Sequence, residues 1–465
     1  MISNKTPSQA PTQIHTPTSA IIEKYAQHAP RYTSYPTALK FSPIATDILT
    51  EANENSDAKT LSLYVHIPFC KTLCYYCGCN KIVTRHSEKA DVYLRYVEKE
   101  ILSKTDFADS KPVVSLHLGG GSPSFLSESQ HAELLSLLKR HFTFEAGATL
   151  SIELDPRNVT KSYLNALRQM GYNRVSFGLQ DVDFNVQQTI NRVQSTSHIA
   201  DLVFEARTLG FDSINLDLIY GLPHQSLDTF KTTIAATKAM APDRISLFSY
   251  AHLPERFAAQ RKFANSILPD TALKSALYNY AVTSFSDIGY KKIGLDHFAK
   301  PSDELAQAQQ NGVLHRNFQG YTTHGDSDLL GLGLSSISAI GNAFAQNPKK
   351  LNDYYYQIDN NLPAATLGLK LSKDDIIRRD VITSLMCNMK VNIQEIEKKH
   401  AIVFNAYFKD ELTQLKPLQE DDVVSIDENF VVVPEHARIY VRAVCVRFDA
   451  YFDEDALVQR YSKAI

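Results

Sequence analysis

No stretch of this chain is apolar for long enough to read as a membrane span. The least polar run, Leu329 to Ala345, is broken by Gly331, Gly333, Gly341 and several serines, so it reads as buried strand and turn. Neither sign of charge dominates. The formal net charge of −3 argues against a nucleic-acid binder, and an anionic ligand must meet a local group of Arg and Lys rather than a global positive field. The first 22 or so residues lack the apolar core of a secretory signal and the arginines of a transit peptide; they are rich in Ser, Thr, Pro and Gln, which predicts a disordered lead-in and a cytoplasmic location. The 15 histidines show no HExxH spacing, and neither a GxxxxGK[ST] phosphate loop nor a Ser/His/Asp hydrolase signature occurs.

Cysteine is scarce as well, with six in 465 residues. Four of them, Cys70, Cys74, Cys77 and Cys79, nevertheless crowd into the run Tyr64-Val-His-Ile-Pro-Phe-Cys-Lys-Thr-Leu-Cys-Tyr-Tyr-Cys-Gly-Cys79. Thiolates from one tight loop suit three corners of an iron–sulfur cube, leaving an iron open for substrate. A structural zinc is the alternative, although zinc modules usually draw ligands from two separated knuckles and no second knuckle is present. A disulfide framework is the other, in a chain long enough to bury a core without staples. Cys387 and Cys445, far apart in apolar helical contexts, read as buried hydrophobes.

A composition of 44% hydrophobic and 21% charged residues is ordinary for a globular chain of two or three domains. From the cysteine run to about residue 290 one pattern repeats: a short apolar run, a turn, then an amphipathic stretch. The strands are expected at Leu61–Ile67, Val113–Leu118, Thr149–Leu154, Arg174–Phe177, Ser213–Ile219 and Asp243–Phe248. The helices are expected at Lys89–Lys104, Glu128–His141, Thr160–Met170, Ser197–Leu209, Leu227–Met240 and Ala272–Ile288. Such alternation predicts an α/β fold with a parallel sheet; six units suggest a partial (β/α)6 TIM-like barrel. Beyond about residue 373, helices at Lys373–Met389, Ile393–His400 and Tyr407–Lys416, a hairpin at Val423–Val433 and a last helix near Ala437–Phe452 suggest a mostly helical, winged-helix-like domain without a basic recognition face. The predicted division is a tail at 1–22, an N-terminal substrate-enclosing segment at 23–55, the barrel and its extension at 56–345 and the helical domain at 346–465.

Chemistry in such folds gathers at the carboxyl ends of the strands. Gly119-Gly120-Gly121-Ser122-Pro123 would let backbone approach a ligand, or would simply turn. Glu153 is expected in an otherwise apolar mouth, satisfied by a ligand ammonium or by a neighbouring Lys or Arg. Gln180, Arg192 and Asp217 offer an amide, a guanidinium and a second carboxylate, suited to an amino acid and a ribose, although each alone reads as ordinary hydrogen bonding.

The CxxxCxxC spacing of Cys70, Cys74 and Cys77 after a first strand, followed by the glycine turn, resembles the radical S-adenosylmethionine superfamily. Arg31-Tyr-Thr-Ser-Tyr-Pro-Thr-Ala38, Cys-Gly-Cys-Asn-Lys81 and Arg316-Asn-Phe-Gln-Gly-Tyr-Thr-Thr323 resemble, more narrowly, its oxygen-independent coproporphyrinogen III oxidase family. That resemblance implies a [4Fe-4S] cluster on the three cysteines and two S-adenosylmethionine molecules. The first would contact Tyr64, Gly120, Glu153 and Ile337; the second would contact Tyr76, Gly121, Ser122, Gln180, Arg192, Asp217 and Ala251. Tyr76 stands where the family often has Phe, and Ser122 where it has Thr.

The implied reaction uses a 5′-deoxyadenosyl radical to convert two propionates of coproporphyrinogen III into vinyl groups, giving protoporphyrinogen IX. It requires an electron donor and an external acceptor, and a monomer is expected. No residue is singled out as catalytic. Cys79 is expected beside the cluster without ligating it. The competing function is that of the related haem-binding chaperones, which share the three cysteines but typically carry Phe at the position of Cys79 and lack the Arg31–Ala38 segment. Tyr32, Thr33, Tyr35, Arg31 and Arg192 are candidates for meeting the substrate's carboxylates.

Overall fold

The computed structural model describes residues 21, 24–25, 28–44, 47–108 and 111–453. The predicted tail at 1–22 therefore lies almost wholly outside the described residues. Six strands, β1 (Leu61–Ile67), β2 (Val113–Gly120), β3 (Phe144–Leu154), β4 (Arg174–Gln180), β5 (Ser213–Tyr220) and β6 (Arg244–Ser249), run parallel in sequence order. All six coincide with the anticipated runs, most of them extended by a few residues. Strand β7 (Asp328–Leu332), from the glycine-broken segment, adds in parallel to the free side of β1, a seventh strand that the six-unit count did not include. Antiparallel strands extend both flanks to a thirteen-stranded sheet among the described residues.

Helices α1 (Glu88–Leu102), α2 (Glu128–His141), α3 (Lys161–Met170), α4 (Thr196–Thr208), α5 (Leu227–Met240) and α6 (Thr271–Ser286) alternate with these strands. Local chemistry sets their ends. Ser127 with Gln130 and Ser226 with Thr229 form capping boxes that satisfy the first amides of α2 and α5. Gly171, at φ +108°, closes α3 in the left-handed conformation that a side chain would oppose.

Strand periodicity divides the sheet into two chemical faces. Leu116, Phe177, Leu216 and Leu247 are fully buried in the core that the helices share with the sheet. Along the same sheet Ser115, Ser151, Ser176, Asn215 and Ser246 face a cavity instead. Around Glu153 a row of strand hydroxyls and an amide thus stands beside apolar side chains such as Ile152 and Phe248.

A second core joins α7 (Lys373–Asn388) and the following helices to Tyr25, Ala29, Tyr32 and Tyr35 of the N-terminal segment. The hairpin expected at Val423–Val433 is present as Ser425–Ile426 and Phe430–Val432, with Lys390–Asn392 as a third strand. The helix expected at Tyr407–Lys416 is two helices, Phe404–Tyr407 and Lys409–Glu420. The last helix is likewise interrupted: a 3-10 turn Glu435–Tyr440, a short α-helix Val441–Cys445 and a second turn Val446–Phe448 follow the contour of this core. Cys387 and Cys445 are fully buried, as anticipated.

Candidate active site

The cysteine loop leaves the carboxyl end of β1, and its base is pinned by Phe69 and Cys70 pairing with Ile82 and Val83. Its crest is tied to the chain after β4: Tyr75 donates its amide to Ile190 O at 2.9 Å, and Asn191 Nδ2 donates to Leu73 O at 2.7 Å. Gln260 Nε2 holds Tyr76 O at 3.0 Å, and Lys81 Nζ reaches Cys77 O at 2.9 Å. The loop is therefore shaped by elements distant in sequence.

Cys70, Cys74, Cys77 and Cys79 line one cavity of ≈ 500 Å³ at the carboxyl ends of the parallel strands. Two guanidiniums approach Cys74: Arg157 Nη2 and Arg192 Nη1 each lie 3.5 Å from its sulfur. Asp155 holds both cations, at 2.6 Å from Arg157 and 3.5 Å from Arg192. Hydrogen bonding with Cys79, helped by Lys81, draws the Cys77 thiol down to about 6 against the effect of burial, whereas burial pushes Cys70 up to about 12. Among the described residues no three Cys, His, Asp or Glu side chains converge as ligands of a single ion do. A cube takes its thiolates at separate corners, so thiols spread side by side around one cavity fit it.

The glycine turn after β2 packs against the root of the cysteine loop. Gly120 lies at φ +117°, and a Cβ there would stand 2.6 Å from the His66 ring; one on Gly121 would stand 2.5 Å from Pro68 O. Turn geometry and backbone exposure to a ligand are accordingly one requirement, since both glycines also line the cavity, as does Ser122.

Glu153 points into the lumen with 46% of its side chain accessible to the cavity, and His117 Nε2 lies 3.3 Å from its Oε1. No Lys or Arg among the described residues pairs with it. Burial favours the neutral acid, but the hydrogen bond and charge of His117 prevail and hold the carboxyl below its ordinary range. Asp217 accepts from Ser176 at 3.1 Å and Asn215 at 2.8 Å. Burial first and the charge of Glu153 second push it up. Two carboxylates sharing one cavity favour a ligand that brings positive charge.

Gln180 lies at φ +64°, and its buried Oε1 has no partner among the described residues. Arg192 donates to Gly178 O at 2.9 Å, while its Nε is buried without a partner. A bound polar ligand would satisfy such atoms. Tyr76 lines the same cavity. Tyr64, on the same side of β1 as the lining Ser62, stacks on His117 at 6.0 Å and bonds His66 Nδ1 at 3.0 Å; Ala251 follows the end of β6, and Ile337 begins the strand after β7.

His66, His117, Asp155 and Arg157 escaped the reading of the sequence as site residues. His66 stands two positions after Tyr64 on the same strand, and His117 is the register partner of Tyr64 on β2, but only the pairing of the strands brings them together.

Residues 64–236 match the model of the radical SAM superfamily, and residues 371–440 match that of the HemN C-terminal domain. An oxygen-independent coproporphyrinogen III oxidase of Escherichia coli (strain K12) is 47% identical over 96% of this chain and 98% of its own. One of Pseudomonas aeruginosa is 42% identical over 96% and 98%. A solved structure described as coproporphyrinogen III oxidase (HemN) from Escherichia coli, a radical SAM enzyme, superposes with TM-score 0.89 at 45% identity, covering 94% of this chain and 99% of that one. With identity of this order along nearly its whole length, and with three thiols, a glycine turn and paired carboxylates around one cavity, the chain belongs to the oxygen-independent coproporphyrinogen III oxidase family of the radical S-adenosylmethionine superfamily.

Proposed function

We propose that the protein oxidatively decarboxylates two propionates of coproporphyrinogen III to vinyl groups without oxygen, giving protoporphyrinogen IX. The observation that carries this reading is the cavity itself, whose wall brings together three loop thiols, the glycine turn, Glu153 and Asp217. Cys70, Cys74 and Cys77 would hold a [4Fe-4S] cluster, and Cys79 would stand beside it without ligating. When bound, the cluster and S-adenosylmethionine supply one-electron reduction and removal of hydrogen from the propionate β-carbon. Tyr64, Gly120, Glu153 and Ile337 bind one S-adenosylmethionine; Tyr76, Gly121, Ser122, Gln180, Arg192, Asp217 and Ala251 bind a second.

Glu153 and Asp217 attract the ammonium and sulfonium charges, and His117 keeps Glu153 ionised for that purpose. Arg192, held by Asp155 and Gly178, presents its remaining donors to a ligand carboxylate. An electron donor and an external acceptor complete the balance. The scaffold is read as a partial (β/α)6 barrel, supported by the six strand–helix units, with a winged-helix-like domain supported by a core and a three-stranded sheet drawn from about residue 377 onward; the stretch after the expected boundary at 346 packs with the first core through Tyr354, Ile358, Ala364 and Ala365. The predicted segment at 23–55 encloses substrate, and the protein acts as a monomer in the cytoplasm. No helix among the described residues is long and apolar enough to cross a membrane.

Anaerobic reconstitution with iron and sulfide, followed by reductant, S-adenosylmethionine and coproporphyrinogen III, is expected to yield 5′-deoxyadenosine, CO2 and protoporphyrinogen IX. Tight stoichiometric haem binding without porphyrinogen turnover would instead establish the chaperone-like alternative, and a zinc-loaded colourless protein would remove both.

A further inference from the structure

Cys74 is fixed by the backbone on either side of it. Leu73 O accepts from Asn191 Nδ2 at 2.7 Å, the Tyr75 amide donates to Ile190 O at 2.9 Å, and Cys74 O accepts the Cys77 amide at 3.2 Å. Its sulfur is thereby held against two guanidiniums, Arg157 Nη2 and Arg192 Nη1, each at 3.5 Å. Cys77 Sγ, by comparison, accepts from a neutral donor, the Cys79 amide, at 3.4 Å.

Arg157 is oriented from its other side. Its Nε and Nη2 straddle the Asp155 carboxylate at 2.9 and 2.6 Å, and its amide donates to Asp155 Oδ1 at 3.2 Å in the 3-10 turn Pro156–Asn158 that follows β3. The Asp155 amide in turn donates to Ser124 Oγ at 3.2 Å, just beyond the glycine turn. Nη2 carries two protons, so one serves Asp155 while the other points to the Cys74 sulfur. With 19% of the Arg157 side chain and 12% of Asp155 exposed, solvent screens this linkage weakly. Arg192 also serves Gly178 O and the ligand site, which leaves Arg157 as the charged donor with no other assigned task.

Resting on the functional reading above, we propose that Arg157, oriented by Asp155, sets the reduction potential of the iron–sulfur cluster by donating to the Cys74 sulfur. Uptake of one electron from the external donor adds a negative charge, part of which falls on the ligand sulfurs. A guanidinium donating to one of them attracts the reduced form more strongly than the oxidised form, and so raises the potential. The cluster then accepts its electron from a weaker reductant. Arg157 acts through Cys74 and not on the substrate.

The test is a redox titration of reconstituted protein, followed by electron paramagnetic resonance without S-adenosylmethionine, on wild type and on Arg157→Met, Arg157→Gln and Arg157→Lys. At a fixed potential the ratio of reduced to oxidised cluster is expected to fall about tenfold in Arg157→Met, as for loss of a charge-assisted hydrogen bond, which lowers the midpoint by about 59 mV. Arg157→Lys keeps the charge and should recover at least part of that fall. A midpoint unchanged or raised in Arg157→Met overturns the proposal. So does Arg157→Lys as low as Arg157→Met, which would trace the fall to disturbed packing of the loop. Weaker binding of S-adenosylmethionine at an unchanged midpoint would assign Arg157 to that cofactor and overturn it too. Arg157→Gln is neutral and can still donate to Asp155, so it carries the test alone should Arg157→Met fail to fold. Wild-type protein that holds a [4Fe-4S] cluster while the variants keep its potential refutes this inference only; wild-type protein that holds none refutes the functional reading with it.

Discussion

Cys77 and Cys79, two positions apart, are shifted in opposite directions. Cys77 has its thiol drawn toward ionisation by Cys79 and Lys81, whereas Cys79 is pushed well above the ordinary thiol range by hydrogen bonding with Cys77. Replacing Cys70, Cys74 or Cys77 with Ala is expected to abolish cluster iron, while Cys79→Ser keeps the iron and lowers turnover. Iron analysis and electron paramagnetic resonance decide this, and iron loss in Cys79→Ser equal to that in Cys77→Ala would assign it as a ligand. At Glu153 the pairing with His117 predicts a second outcome. Glu153→Gln removes the charge but little volume, so the apparent KM for S-adenosylmethionine should rise about tenfold or more at unchanged iron content. An unchanged KM would show that the carboxylate does not meet the cofactor. Glu153 was legible as a strand-end carboxylate; His117 was not, because nothing in a single strand marks which histidine its neighbour will present.

Strands and helices are held at the amino ends of the sheet by a separate ion cluster. Glu304, near the start of the helix Glu304–Gln310, pairs with Arg174 at the start of β4 and with Arg244 at the start of β6, and Asp303 adds a 2.8 Å contact to Arg244. Burial opposes ionisation of Glu304, yet the hydrogen bond and charge of Arg174 prevail and bring its carboxyl down to about 2 from the ordinary 4.5. Because the folded form holds this proton less tightly than the unfolded chain, the stabilisation is present above pH 4.5 and fades as pH falls toward about 2. Glu304→Gln is expected to lower unfolding free energy by about 1 kcal/mol at neutral pH after solvent screening of a partly exposed pair. The difference from wild type should vanish in that acidic window. Urea melts at several pH values measure it, and a difference independent of pH would point to packing instead. The elements themselves were largely readable, since capping serines and period-two alternation act locally. The broken final helix was not, since contact with the second core sets its course.

At the scale of the whole molecule, the N-terminal segment belongs to the far end of the chain. Tyr35 is 1% exposed in the second core, its hydroxyl accepts the Ala450 amide at 3.1 Å, and Tyr32 donates to Asp449 at 3.0 Å. Tyr35→Ala should destabilise that core by about 3–5 kcal/mol, the range for emptying a large buried aromatic site. Hydrogen exchange is expected to rise in α7 and in Val441–Cys445 while the parallel strands stay protected; uniform loss of protection would mean the two cores unfold as one.

The same docking brings Arg31 beside Arg316 and Arg442, residues 285 and more positions away, and no pattern within one segment announces it. What the amino-acid sequence determined by itself was what depends on short range: the order of strands and helices, the turn glycines, and a ligand loop whose three thiols lie within eight residues. Only the tertiary structure decided which polar side chains share a space. Lateral strand pairing put His117 on Glu153, and folding the amino terminus onto the carboxyl-terminal core brought the three arginines together, because electrostatic and packing energies depend on distance in space and not on separation along the chain.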